Sequence, residues 1–365
     1  MKNKILIVVG TRPNFVKITQ FKRVARKYKD LDLRIVHTGQ HYDEKMSDVF
    51  LNQFKIKIDY FLGINSTSAN SLMGQIIIGL EPVITDFKPD LLLCVGDVNS
   101  TLAAAICANK LNVKLGHIES GLRSLDREMP EEINRILTDE ISDICFVTEK
   151  IGIQNLKKAG KSDAQIAFVG NTMIDTLVHF NYEIEAATIL DDIQQEKHQY
   201  ILLTMHRPKN VDTKESLFKI IDLCKNSAQN RNLIFPMHPR TKSSLINHNL
   251  LETLKNINNL TIIPPQNYFS FQKLIKYSFC VITDSGGLQE ETTFLQIPCI
   301  TLRENTERPS TIEEGTNELM TFDTQKIAEK IKKIANQKNS ESTIPKFWDG
   351  NATERIIKKA IKFLS

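Results

Sequence analysis

Lys114-Leu115-Gly116-His117-Ile118-Glu119-Ser120-Gly121-Leu122-Arg123 is the stretch whose reading decides the fold. Residues 114–118 form a strand-like run, and charged groups follow at its end. A second piece, Met129-Pro130-Glu131-Glu132-Ile133-Asn134-Arg135, opens an amphipathic helical stretch over 131–141. Charged groups at the C-terminal end of a buried strand are costly unless they are solvated, paired or used. In open α/β sheets that edge is also where ligands bind.

Outward from this point the same strand–loop–helix unit recurs. Short β-branched runs lie at 5–9, 33–37, 91–95, 144–147 and 166–169. Helix-period stretches separate them at 15–28, 71–87, 101–110 and 150–159. Continuous apolar strands alternating with helices predict a parallel sheet covered on both faces. A polar, acidic stretch at 182–199 interrupts the pattern and reads as an interdomain helix or linker. A second series follows at 200–204, 233–236, 260–263, 279–283 and 298–302. The fold class is therefore α/β, with two Rossmann-like domains whose parallel sheets face each other across a cleft. The expected division is 1–172 and 173–350, with an amphipathic helix at 351–365 packing back on the first domain.

Bulk properties narrow the function. A chain of 365 residues exceeds one ordinary core. Its 47 basic and 43 acidic side chains leave a net charge of +4, without the basic stripe that nucleic-acid binding would need. The six cysteines include no C-x-x-C pair and read as reduced buried thiols, which places the protein in the cytoplasm. No apolar run nears the ~20 residues that span a bilayer, so no membrane partner is expected. The opening run 5–9 is too short for a signal peptide and reads as a first strand.

The chemistry-bearing residues cluster at the strand ends. Gly10-Thr11-Arg12-Pro13-Asn14-Phe15-Val16-Lys17 gives a turn, a helix N-terminus and two cations, Arg12 and Lys17. It is neither G-x-G-x-x-G nor a Walker A loop. Thr38-Gly39-Gln40-His41 follows the second strand, and Gly96-Asp97 the next. Asp97 is an N-terminal helix charge or a member, with Glu119 and Glu131, of a converging carboxylate set. In a convergent set one carboxylate would be pushed up, as acid/base work at neutral pH requires. In the second half, His206-Arg207, His238-Pro239 and Asp284-Ser285-Gly286-Gly287-Leu288-Gln289-Glu290-Glu291 each close a strand. Ser285, Gly286 and Gly287 open a helix whose amides suit a diphosphate. Arg308, in Thr306-Glu307-Arg308-Pro309, is a solvated loop residue or a phosphate ligand. No metal site is expected, because no Cys/His cluster or His-x-x-x-His occurs. A serine hydrolase is disfavoured without a G-x-S-x-G elbow.

These motifs, together with Gly170-Asn171-Thr172-Met173-Ile174-Asp175, resemble in order the non-hydrolysing UDP-N-acetylglucosamine 2-epimerases. The resemblance runs from Gly10 to Pro309 and implies the two-domain GT-B architecture. It implies interconversion of UDP-N-acetylglucosamine and UDP-N-acetylmannosamine without a cofactor. UDP is eliminated to give 2-acetamidoglucal and then adds back. It further implies a homodimer serving polysaccharide biosynthesis, with a UDP-sugar as partner. Alternatives are a related UDP-2-acetamido sugar (6-deoxy, or a 2,3-diacetamido uronate), the hydrolysing 2-epimerase reaction, and a GT-B glycosyltransferase.

Carried over by motif, Asp97, Glu119, Glu131 and His206 are the catalytic candidates. Arg12, Lys17 and Arg308 would balance the diphosphate charge. Ser285, Gly286 and Gly287 would contact phosphate, and Glu291 the ribose hydroxyls. Gln40, His41, Arg207 and His238 match positions that bind an allosteric UDP-N-acetylglucosamine in some bacterial members. The chain departs from the family pattern at Asn14, where Glu is usual, at Ser120, where Ala is usual, and at Pro208. Residues 69–75 also lack an arginine expected near the allosteric site.

Overall fold

The computed structural model describes residues 2–40, 50–66, 68–229, 231–336 and 342–365. They form two compact units: 1–179 with 346–365, and 180–345.

The first unit is built on a seven-stranded sheet in the order β3-β2-β1-β4-β5-β6-β7. Its strands are β1 (Asn3–Val9), β2 (Leu31–His37), β3 (Tyr60–Phe61), β4 (Leu91–Val95), β5 (Lys114–Ser120), β6 (Ile144–Val147) and β7 (Ile166–Phe168). Every pairing is parallel; Ile7, for example, lies beside Ile35 on one flank and Leu93 on the other. β1 and β4 are buried along nearly their whole length, as expected of strands with helices on both faces. One core layer joins Ile5, Ile7, Phe15, Phe21 and Phe146; the opposite layer joins Leu6, Val8, Leu72, Ile76 and Leu80.

The second unit repeats the plan with six parallel strands in the order β10-β9-β8-β11-β12-β13. They are β8 (Tyr200–Thr204), β9 (Asn232–Pro236), β10 (Leu260–Ile263), β11 (Cys280–Thr283), β12 (Cys299–Thr301) and β13 (Asn317–Leu319). The strand order reverses direction at β1/β4 in the first sheet and at β8/β11 in the second. Crevices open at such switch points, beyond the strand C-termini.

The last helix, Ala352–Leu364, belongs to the first unit and places Ile356, Ile357 and Ala360 in its core. Asp175, 2% exposed, caps its start by accepting from Ala352 N at 2.9 Å and Thr353 N at 2.6 Å. Trp348 Nε1 donates to Thr148 O at 3.0 Å and ties down the approach.

Several elements differ from the sequence expectation. The helix read at 15–28 is two, Arg12–Ile18 and Phe21–Ala25. The break falls at Thr19, whose hydroxyl lies 2.6 Å from that of Thr176. The polar stretch 182–199 overlaps the short helices Asn181–Ala186 and Ile189–Asp192, and Ile189 and Leu190 join the second unit's core. All six cysteines are buried and free. Among the described residues, no helix is long and apolar enough to cross a membrane.

Candidate active site

In the first unit the polar groups gather at the ends of β1, β4 and β5. Glu119 is the second-to-last residue of β5, and it adopts φ +70° although it is not glycine. The β5–β6 register shifts between Ile118 and Ser120, so Glu119 sits on a bulge. Bulges re-aim a side chain at the cost of local strain. Glu119 is 5% exposed and its Oε2 is ion-paired with Lys17 Nζ, itself buried. A Cβ added to Gly96 (φ +69°) would stand 3.2 Å from both Glu119 Oε2 and Lys17 Nζ. Only glycine lets the β4 end approach this pair so closely.

Asp97 comes next in the chain and is partly exposed. Its carboxylate pairs with Arg135, while Asn134 Nδ2 donates to its backbone carbonyl at 2.9 Å. Arg135 also reaches Glu132 Oε2 at 2.6 Å. Glu132, 1% exposed, in turn holds the loop by accepting from Ser124 N at 2.9 Å and Leu125 N at 3.2 Å. Glu131 is exposed in the first turn of the Pro130–Ile141 helix. The carboxylates therefore do not simply crowd one another. Glu119 and Asp97 each have their own cation, Lys17 and Arg135.

Below them lies a buried relay. His117, fully buried, sets Nε2 2.7 Å from Gly96 O and Nδ1 2.7 Å from Asp139 Oδ1. Asp139 Oδ2 accepts from Arg123 Nη1 at 2.6 Å and Gly121 N at 3.1 Å. Burial alone would raise the Asp139 carboxyl, but the His117 and Arg123 contacts hold it below its usual range.

The loop after β1 is stapled by Asn14, 2% exposed. Its Oδ1 accepts from Gly10 N and Thr11 N, each at 3.1 Å, and its Nδ2 donates to Val95 O at 3.1 Å. A glutamate could not make that last bond. Arg12 lies over the Phe50 ring, 5.5 Å from its centroid. Gln40 Oε1 accepts from Ser100 N at 3.0 Å and Ser100 Oγ at 2.7 Å, pinning a helix start. His41 lies outside the described residues.

In the second unit, His206, His238 and Ser285 line a pocket of about 200 Å³ with Pro236, Pro265, Gln266 and Phe271. His206 and His238 have ring centroids 5.4 Å apart. His238 Nδ1 accepts from Arg240 N at 3.1 Å, so it caps the Pro239–Asn247 helix. Gly286 and Gly287 begin the helix Gly287–Leu295, and Ser285 N donates to Thr283 Oγ1 at 3.0 Å. Beside that start sits a buried ion cluster. Arg308 Nε is 2.7 Å from Glu290 Oε2, Arg308 Nη1 meets Glu307, and Arg303 Nη2 is 3.2 Å from Glu307 Oε2. Burial pulls the Arg303 guanidinium down; Glu307 opposes this, while the charges of Arg207 and Arg308 add to it. Glu291 is buried and pushed up to about 7, by desolvation and then by Glu290, against a bond from Gln272.

The profile of the UDP-N-acetylglucosamine 2-epimerase family matches residues 23–361. A UDP-N-acetylglucosamine 2-epimerase homolog of Methanococcus maripaludis is 41% identical over 358 residues, 97% of this chain and 98% of its own. The crystal structure of the Methanocaldococcus jannaschii UDP-GlcNAc 2-epimerase with UDP-GlcNAc and UDP matches with a TM-score of 0.88. It is 38% identical, covering 98% of this chain and 99% of that one. A UDP-2,3-diacetamido-2,3-dideoxy-D-glucuronate 2-epimerase of Pseudomonas aeruginosa is 38% identical over 321 residues, 87% of this chain and 88% of its own.

The chain belongs to the UDP-N-acetylglucosamine 2-epimerase family.

Its two parallel-sheet α/β domains are those of the family's solved structures. The departures noted in the motifs now have local reasons in this epimerase-family chain. Asn14 staples its loop, Ser120 Oγ donates to His117 O at 2.7 Å, and Pro208 opens the short helix Pro208–Val211. The structure pairs Glu119 with Lys17 beside Gly96, the residue before Asp97, while the Asp97 carboxylate goes to Arg135 and Glu131 stays exposed; in the second unit His206, His238 and Ser285 line one pocket. It gives Lys17 and Arg308 carboxylate partners rather than solvent. Asp139, Glu132 and Asp284 were not singled out as site residues from the sequence. A signal existed for Asp139, a carboxylate within the apolar-periodic stretch 131–141. Among the described residues, no group of His, Cys, Asp and Glu could hold a metal ion.

Proposed function

We propose that the protein interconverts UDP-N-acetylglucosamine and UDP-N-acetylmannosamine by elimination and re-addition of UDP. The C2 hydrogen of the sugar is not next to a ketone, so direct deprotonation is unfavourable. Loss of the C2 proton must accompany cleavage of the C1–O bond, leaving 2-acetamidoglucal and UDP. The reverse addition delivers a proton to the other face of C2. This needs acid/base carboxylates and a cationic, donor-rich place for the diphosphate.

The observation that carries the reading is Glu119, held at φ +70° on a bulge beside Gly96 and paired with Lys17. Any residue but glycine is strained at φ +70°, and a buried carboxylate is costly even when paired; packing alone explains neither. Asp97 and Glu131 are the further acid/base groups in this reading. In the second unit, Ser285, Gly286 and Gly287 open a helix toward phosphate, and Arg308 supplies charge. Glu291 takes the ribose hydroxyls, and the 200 Å³ pocket suits a flat base. Gln40, Arg207 and His238 are proposed for an activator's contacts, and Arg12 for the diphosphate. The reading extends to a cytoplasmic homodimer supplying a surface polysaccharide.

Proton NMR with UDP-N-acetylglucosamine in D2O tests it. Deuterium at C2 together with a UDP-N-acetylmannosamine signal is expected. Free N-acetylmannosamine with accumulating UDP would replace this reading by the hydrolysing reaction. A second reading, a 2,3-diacetamido uronate substrate, is favoured by the Pseudomonas relative. It would require turnover of that sugar nucleotide and none of the unmodified one.

A further inference from the structure

Asp284 directly follows β11, and His206 follows the neighbouring β8, where Thr283 pairs with Thr204. The Asp284 carboxylate is fully buried and collects donors from the His206 loop. Oδ1 and Oδ2 lie 3.1 and 3.0 Å from His206 N, and Oδ2 accepts from Arg207 N at 2.8 Å and Asn210 Nδ2 at 3.1 Å. Oδ1 also stands 3.0 Å from His206 Nδ1. Burial alone would raise this carboxyl, but the His206 ring, Arg207 N and Asn210 hold it below its usual range. It is therefore an ionised group that can only accept.

An acceptor at Nδ1 settles which ring nitrogen bears the proton. His206 Nδ1 is a donor, and Nε2 is the nitrogen left for the pocket that His206 lines with Ser285. His238, the neighbouring ring, has its own Nδ1 engaged by Arg240 N.

We propose that Asp284 is the positioning residue for His206: by accepting from Nδ1–H it fixes the ring, so that Nε2 faces the departing diphosphate and, in the imidazolium form, donates its proton to it. This rests on the elimination reading above. As the C1–O bond breaks, its electron pair goes to the diphosphate oxygen, which takes the Nε2 proton. The C2 proton leaves to a carboxylate, and the C2–H pair becomes the C1–C2 double bond. On re-addition the diphosphate oxygen returns its proton to Nε2 and attacks C1, while the C1–C2 double-bond pair takes a proton from a carboxylate on the other face of C2. A buried carboxylate that fixes an imidazole's tautomer is a recurrent catalytic device.

The alternative is that Asp284 only staples the loop after β8. Four measurements on the full chain separate the two: kcat, KM and UDP affinity of D284N, H206N and the double variant, and the histidine 15N spectrum of the wild type. D284N should lower kcat by about 10²-fold while KM and UDP affinity change by less than about 3-fold. D284N/H206N should be no slower than H206N alone, because Asp284 acts through that ring. Losses that multiply in the double variant would overturn the proposal. Should D284N fail to fold, the spectrum decides. The signals missing in H206N must show a protonated Nδ1, and a bare Nδ1 with its proton on Nε2 would sink the idea. If the wild type leaves UDP-N-acetylglucosamine unchanged, the elimination reading fails by itself, while the tautomer is still read directly.

Discussion

Lys17 and Glu119, 102 residues apart, form a buried ion pair whose side chains are 8% and 3% exposed. The pair joins the helix after β1 to the end of β5 and puts a fixed charge beside a carboxylate held at φ +70°.

Each member should respond to substitution. Glu119→Gln keeps the shape and removes the charge, so turnover should fall at least ~10²-fold, and the Lys17 ammonium left without its partner should lower stability as well. Lys17→Met strands a buried carboxylate and should cost about 3–5 kcal/mol in urea unfolding. Near-normal turnover in the first, or an unmoved midpoint in the second, would show the pair to be incidental.

His37 gives stability a pH dependence of known sign. The ring is 1% exposed, between Phe15 and Phe61, and burial lowers its pKa from 6.5 to about 4. Between those values the unfolded chain binds the proton and the folded chain does not. Stability from this residue is therefore complete above pH 6.5 and is lost as pH falls toward 4, by about 3 kcal/mol in all. The difference between wild type and His37→Phe, followed by urea midpoints from pH 7.5 to 4.5, should show that slope. Parallel curves would contradict it.

Glu291 predicts a pH-dependent affinity. If the charged carboxylate accepts from ribose hydroxyls, a group pushed up to about 7 must lose its proton on binding. Uridine affinity should rise up to tenfold per unit as pH climbs to 7, then level off. Titration calorimetry on Glu291→Gln should give a flat profile; an unchanged profile would put the proton elsewhere.

Asp175 is the cap of the final helix, and Asp175→Ala should destabilise the first unit by about 2 kcal/mol. Thermal melts and urea curves would report this. Wild-type behaviour would mean that the amides of Ala352 and Thr353 find another acceptor.

The strands legible in the sequence are those whose burial writes itself as an apolar run, such as β1, β4, β8 and β11. β3 and β13 were not read, because a two-residue strand has no period and Asn317-Glu318-Leu319 lacks β-branched residues. At the candidate site, Glu119, Asp97, His206 and Ser285 stand out because each lies at or just beyond the end of an apolar run. Asp139 and Glu132 do not, because their purpose is set by partners such as His117 and Ser124 that only folding brings near. Asp284 was legible within its Ser-Gly-Gly motif, but not as the partner of a histidine 78 residues earlier. Lys17 was read as a cation for a ligand; its nearest charge is Glu119 of its own chain.

The first unit is written in two places, 1–179 and 346–365. During synthesis its seven strands emerge first, yet its core lacks Ile356, Ile357 and Ala360 until residues 352–364 are translated. At about 5–20 residues per second, that leaves an incomplete hydrophobic surface for some ten seconds or more while 180–345 is made. The unit begun first is thus the one finished last, and a nascent chain stalled before Ala352 would expose this core to chaperones.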